Sequence, residues 1–352
     1  MRGSDMRPIG AGFVLLGAGI SMVGTSWDVQ WHIDVGPDTF FTLPHLFIYA
    51  GSAIAGIASL VVVLAVTAAQ RRGETPDPRD GGVAIRVFGG RFTAPLGYLV
   101  TGVGAAAFLL YGLIDLWWHG VYGFDAVLNS PPHIALFTTI SITMIGAVIV
   151  AAAGREKRWG RFATMISVPL LMTFFPITAN AFQGVNLPFD TIVASTTLII
   201  VLLLVLTRAA VGRPGIAIGT AAALLAMQAI LWVFTPWAAV TYADAVGLPL
   251  RDGMGGEPPL IPSGIPLAAI VAAVAIELLF RRGGPALAGG VAGLILGLTF
   301  VVQRDVLGFA PSPVTTVDLI ATTLAGALFG LLGGFLGARF GATLRLREKV
   351  TA

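Results

Sequence analysis

The chain has 352 residues, 56% hydrophobic and only 11% charged, with a net charge of +3. Its mean hydropathy is +0.88, whereas soluble domains carry about 25% charged residues. This composition excludes an ordinary soluble domain. The absence of Cys excludes disulfides, thiolate metal sites and thiol catalysis.

Apolar stretches long enough to cross a bilayer follow one another along the chain. They lie at 8–32, 44–69, 94–119, 132–153, 162–182, 189–208, 215–238, 263–280, 285–303 and 317–339. The expected fold is all-α and integral to the membrane, about ten spans arranged as five hairpins. Residues 1–153 would form one part, holding the first four spans, and residues 154–352 a six-helix bundle. Basic residues collect at the N-terminus and after every second span. Of the 21, all but Arg251 and Arg304 fall on one side, so the positive-inside rule predicts cytoplasmic termini and a plasma-membrane protein. The basic balance is therefore a topology signal and implies no nucleic-acid partner. The connection 71–91 is rich in Pro, Gly and charge and is expected to be flexible. Gly289, Gly293 and Gly297, and again Gly326, Gly330 and Gly334, are spaced for close helix approach within the chain, or else at a homo-oligomer interface.

All four histidines lie in two stretches, WDVQWHIDVGPDTFFTLPH at 27–45 and DLWWHGVYGFDAVLNSPPH at 115–133. Each reads Asp, Trp, His, Asp, Pro, His in the same order, with one extra residue in the second loop. The pattern is that of a duplicated helical hairpin within the first four spans. Asp28 and His32 are four apart and share a helix face. Pro44 suits the first turn of the next helix and brings His45 there. One carboxylate and two imidazoles can thus converge, a ligand set open to copper, iron or zinc. Asp115, His119 and His133 repeat it. Asp38 and Asp125 are candidates to orient a histidine or to ligate directly. Trp27, Trp31, Trp117 and Trp118 read as an interfacial aromatic belt.

At these residues the chain resembles the C subunit of the copper membrane monooxygenases, the particulate methane and ammonia monooxygenases. That family carries Asp-x3-His-x12-His, which Asp28, His32 and His45 match without a gap. Trp31, Asp38, Thr39, Phe41 and Thr42 match the intervening positions. The second copy keeps Asp115, Trp118, His119, Asp125 and His133 but lacks the Asp-Thr-x-Phe-Thr segment. The resemblance implies copper at the first site, an oxidative reaction on a small apolar substrate, and partner subunits. It covers about two short stretches, and the family subunit has fewer spans and one such site.

Two other functions fit the residues. One is copper or zinc capture for delivery or transport, with Glu277, Asn180, Gln183 and Gln228 as the few polar residues deep in the bundle and Glu277 expected near Arg281 and Arg282. The other, less favoured, is a b-type haem protein with paired histidines. Asp190 and Asp318 are expected at helix N-termini. Arg304 would pair with Asp305 or cover a metal site. The loop 239–262, with Asp244, Arg251, Asp252 and Glu257, is long enough to act as a lid.

Overall fold

The computed structural model describes residues 3–123, 130–180, 185, 187–251, 259, 261, 264–310 and 313–345, with side chains described outside 3–6 and 175–180. Ten α-helices fill these residues: α1 Gly3–Asp34, α2 Leu43–Arg71, α3 Leu96–Tyr122, α4 Pro131–Ala153, α5 Arg158–Asn180, α6 Thr191–Val211, α7 Ile216–Val246, α8 Ala269–Leu279, α9 Gly284–Val306 and α10 Thr316–Thr343. Eight of them, all but α5 and α8, are long and apolar enough to cross a membrane. The chain is therefore an all-α integral membrane protein, because in lipid only a helix or a closed barrel satisfies every backbone polar group internally. The span expected at 263–280 is helical only from Ala269 to Leu279. Gly264 and Pro266 precede it, and the amide of Ala269 bonds back to the Pro266 carbonyl before the helix proper begins.

The chain packs as two compact units, one of residues 1–171 with 231–259 and one of residues 172–230 with 260–352. In the first, α1 and α2 form an antiparallel hairpin, as do α3 and α4. Close approach of α1 and α2 needs Gly24, since a Cβ there would lie 2.8 Å from the Ile48 amide nitrogen. The connection between α2 and α3 contains regular structure. A 3-10 turn at Pro78–Asp80 leads to an antiparallel strand pair, β1 Ala84–Val87 and β2 Phe92–Pro95, with Ala84 opposite Pro95 and Val87 opposite Phe92. The turn between the strands uses positive φ at Phe88, Gly89 and Gly90. Charge fastens this connection to α1: Arg7 bonds Asp77 at 2.7 Å and Asp80 at 2.5 Å. Burial works to raise the Asp77 carboxyl, but its bonds to Arg79 and the charge of Arg7 outweigh that and bring it down to about 2.

In the second unit the glycine ribbons of α9 and α10 face each other. A Cβ on Gly326 would lie 2.6 Å from the Gly293 carbonyl oxygen, and one on Gly330 would lie 2.7 Å from the Gly293 Cα. A second ribbon on α10, Gly333, Gly337 and Gly341, lies against the backbone of α6 at Leu198, Leu202 and Leu206. α10 is thus packed by backbone contact on two faces, as expected where lipid offers no hydrophobic drive between helices. Helix starts follow the predicted chemistry. The Asp190 side chain caps α6 by accepting from the amides of Ile192 and Val193 at 2.9 and 3.0 Å. Thr315 and Asp318 form a capping box on α10.

Two predictions follow from this packing. Gly293→Leu drives a side chain into the backbone of α10 and lowers stability by about 1–3 kcal/mol or more. Gly12→Ala, where a Cβ meets nothing within 4 Å, is neutral or mildly stabilising; thermal unfolding in detergent compares the two. The depressed Asp77 carboxyl contributes stability that is fully present above its unfolded value of 3.8 and is lost as pH falls through about 2. Asp77→Asn abolishes that part of the acid-side loss in melts taken between about pH 5 and about pH 2.

Candidate metal centre

The first histidine stretch closes the α1–α2 hairpin. α1 ends with the amides of Val35 and Gly36 both bonded to the Trp31 carbonyl, at 2.9 and 3.0 Å. Gly36 takes φ +101, a backbone conformation that favours glycine. The turn that follows is held at three points. The Trp31 indole donates to the Pro37 carbonyl at 3.0 Å, the Thr39 amide donates to the Thr42 hydroxyl at 2.7 Å, and the Thr42 amide donates to the Thr39 carbonyl at 3.0 Å. Pro44 then sits in the first turn of α2, as expected. This turn swings Asp38 back over the end of α1.

Four side chains converge as a result. One ligand atom from each of Asp28, His32, Asp38 and His45 lies within 4.8 Å of all the others. His45 Nε2 is 2.9 Å from Asp28 Oδ1 and 3.1 Å from Asp38 Oδ2. His32 Nε2 is 3.8 Å from Asp28 Oδ1 and 3.3 Å from Asp38 Oδ2. Asp38 is therefore a direct member of the cluster, the most enclosed of the four, with its side chain 10% exposed. Asp115, His119 and His133 form a second group, also within 4.8 Å. His119 Nε2 and His133 Nε2 lie 3.5 and 3.8 Å from Asp115 Oδ1. Asp125 lies outside the described residues.

The tautomers carry the electrostatic argument. His45 Nδ1 is 2.9 Å from the Thr39 carbonyl oxygen, and His119 Nδ1 is 3.1 Å from that of Gly123. A carbonyl only accepts, so in each ring Nδ1 carries the proton. In a neutral ring Nε2 then presents a lone pair. For His45 that lone pair faces two carboxylate oxygens at 2.9 and 3.1 Å. Such a contact is repulsive unless a cation, a proton or a metal ion, lies between the atoms. The spacing suits a metal ion: with bonds of about 2.0–2.1 Å, tetrahedral donors stand about 3.3 Å apart. The distances of 2.9, 3.1, 3.3 and 3.8 Å bracket that value. The backbone bond to Nδ1 is the outer support typical of a metal-binding histidine. His133 has a like partner, with Ser130 Oγ at 2.9 Å from Nδ1. A haem fits poorly, because the Asp28 carboxylate occupies the space between the two Nε2 atoms.

The two groups are neighbours. The Tyr49 phenol is close enough to Asp28, Asp38 and Asp115 to feel all three carboxylates. The Tyr49 ring stacks on Phe40 at 4.9 Å and lies 6.1 Å from the His45 ring.

Support for the first group comes from the end of α7. Trp27 and Trp31 are 5% and 1% exposed, so they are core residues and no aromatic belt. Trp27 packs edge-on against Phe47, Phe234 and Tyr242, and Trp31 lies 4.9 Å from the Tyr242 ring. The Tyr242 hydroxyl accepts from the Leu43 amide at 3.3 Å. The loop after α7 is tied down as well, the Arg251 amide donating to the Asp34 carbonyl at 2.7 Å. Of the acidic residues placed on that loop, Asp252 and Glu257 lie outside the described residues. The aromatic spacing in α7 was the available signal for this contact, and sequence reasoning did not use it.

The remaining polar candidates pair elsewhere. Glu277 bonds Arg208 at 2.7 Å and the Ala217 amide at 2.9 Å, rather than Arg281 or Arg282. Arg208 also stacks on Phe280, 4.9 Å from the ring centre. Gln228 donates to Thr173 at 3.1 Å. Arg304 faces Asp190 at 3.6 Å and donates to the Phe309 carbonyl at 2.9 Å, in place of a bond to Asp305. Gln183 and the Asn180 side chain lie outside the described residues. No family model matches the chain, and comparison with curated proteins and with solved structures gives no match.

Arg208 and Glu277 side chains are only 4% and 9% exposed. Glu277→Ala strands a buried guanidinium and costs about 3–5 kcal/mol. Thermal unfolding measures this, with Glu74→Ala at an exposed pair as the control that changes little.

Proposed function

We propose that the chain is a membrane copper protein, holding one ion at Asp28, His32, Asp38 and His45 and a second at Asp115, His119 and His133. The observation that carries the reading is the convergence of Asp28, His32, Asp38 and His45, with His45 Nε2 2.9 and 3.1 Å from two carboxylate oxygens. Among divalent ions, sites with nitrogen and oxygen donors favour copper most strongly, and the chain has no cysteine to select softer chemistry. Two carboxylates and two neutral imidazoles also balance the charge of a divalent ion. The match to the Asp-x3-His-x12-His segment of the copper membrane monooxygenases supports the same ion and an oxidative role, alone or with partner subunits.

Bound copper would supply one-electron chemistry toward dioxygen. The chain's own residues do the rest. Thr39 and Gly123 hold the histidine tautomers, and Trp31 holds the turn that presents Asp38. Phe41, Leu46, Trp117 and Tyr122 leave an apolar rim, 71, 40, 60 and 66% exposed, at the same ends of the hairpins, suited to a small apolar substrate arriving from lipid. The bias of basic residues supports cytoplasmic termini and clusters on the outer side of the plasma membrane. Copper or zinc hand-over is the second reading, favoured by the closeness of the two groups, since Tyr49, 6.1 Å from the His45 ring, is also near Asp115.

Metal analysis and electron paramagnetic resonance of the copper-loaded protein test the proposal. Wild type is expected to hold two copper ions, His45→Ala to lose the first and His133→Ala the second. Asp38→Asn weakens the first site about 10–100-fold. Protein that takes up no metal, or keeps both ions in all three variants, would sink it. Product formation from a small hydrocarbon then separates the oxidative role from hand-over, which predicts metal uptake into liposomes instead.

A further inference from the structure

The turn between β1 and β2 is unfavourable in two ways. Phe88 takes φ +50, the one residue other than glycine with positive φ among the described residues. A bulky side chain is disfavoured there, where glycine would sit without strain. The same ring is 78% exposed, the highest value of any large apolar side chain described. It packs edge-on against Phe92 at 6.1 Å, but most of its surface is open. An outlier of this kind points to a function at its position.

The strand leading to the turn sorts its side chains by face. Val83 and Ile85, 45% and 38% exposed, alternate with the exposed Arg86. Arg91, just past the turn, is exposed as well. The carboxylates of this connection have cations of their own: Glu74 pairs with Arg72, Asp77 with Arg7 and Arg79, and Asp80 with Arg7. The guanidinium groups of Arg86 and Arg91 have no partner among the described residues. The strand pair is also fixed in height. The Thr93 amide donates to Thr67 Oγ1 at 3.0 Å, Thr67 donates to the Thr93 carbonyl at 3.2 Å, and Arg71 donates to the Arg91 carbonyl at 2.9 Å. These bonds hold it against the end of α2, where that span leaves the bilayer.

We propose that this strand pair is an interfacial anchor for anionic lipid. Phe88, with Val83 and Ile85, enters the boundary of the acyl chains, and Arg86 and Arg91 meet headgroup phosphates of net negative charge. Apolar and cationic side chains combined at the level of a span's end match that layer of the chain's own bilayer, and guanidinium groups suit phosphate. Burial in lipid offsets the exposure of the ring. The unusual backbone at Phe88 is then what aims it outward.

The chain has no Cys, so Phe88→Cys gives a unique site for an apolar nitroxide that stands in for the ring. Ile85→Cys reports from the same face with Phe88 kept, and Arg213→Cys, exposed between α6 and α7, is the aqueous reference. The full chain is placed in vesicles of phosphatidylcholine with phosphatidylglycerol, and collisions of the label with oxygen and with a water-soluble nickel chelate are measured. Labels at 88 and 85 are expected to meet oxygen and to be shielded from the chelate, and the label at 213 to be open to it. Arg86→Gln and Arg91→Gln each lower the ratio of shielded to open label about fivefold. Phosphatidylcholine alone lowers it too, as does Phe88→Gly read from position 85. Circular dichroism confirms the helical fold of each variant. Labels at 88 and 85 as open to the chelate as that at 213, labels shielded from both reagents as in a protein contact, or shielding indifferent to phosphatidylglycerol and to both arginines overturns the proposal.

Discussion

Two carboxylates and two imidazoles share one small volume at the end of a membrane span, and the architecture of the first unit follows from holding them there. Ionisable groups at such depth are costly unless something compensates them. A neutral His45 cannot do so, because the backbone carbonyl of Thr39 occupies its protonated nitrogen. A proton on His45 Nε2 or a bound cation supplies the compensation, and the surrounding turn keeps the four side chains together. The Trp31 indole, the Thr39–Thr42 turn and the Gly36 bend present Asp38 to both histidines.

The two hairpins carry the same ligands but hold them differently. In the first, four nitrogen–oxygen distances run from 2.9 to 3.8 Å and involve two carboxylates. In the second, the described partners are one carboxylate and two histidines at 3.5 and 3.8 Å. The first hairpin has a turn of threonines braced by α7. The second holds His133 through Ser130, and its rim is exposed, with Trp117 at 60% and Tyr122 at 66%. The donors are alike and the described supports are not.

What was legible in the sequence had a short range. Helix spans follow from runs of apolar residues, the Asp28–His32 and Asp115–His119 pairs from the helical repeat, and the caps at Asp190 and Asp318 from residue type. The rest depends on contacts across the chain. Asp38 joins the group because of the shape of the turn at 35–42, which no periodicity encodes. Trp27 and Trp31 read as surface aromatics until Tyr242 and Phe234, about two hundred positions later, cover them. The α2–α3 connection has a loop's composition, yet Arg7 fastens it through Asp77 and Asp80. Glu277 has two arginines close in sequence and pairs with a third, Arg208, because α6 and α8 bring it there.

The distribution of polar groups bears on what kind of protein this is. A bundle that conducts an ion needs polar side chains left available along its interior. In the second unit Glu277 pairs with Arg208 and the Ala217 amide, Gln228 with Thr173, and Arg304 with Asp190 and the Phe309 carbonyl, while Gln228 Oε1, Arg304 Nε and the Thr196 and Thr197 hydroxyls have no partner among the described residues. Its helices pack through glycine backbone contacts that leave little room between α9 and α10. Among the described residues, both groups with the donors to hold a metal ion lie in the first unit. The chemistry is thus concentrated at the closed ends of two helical hairpins.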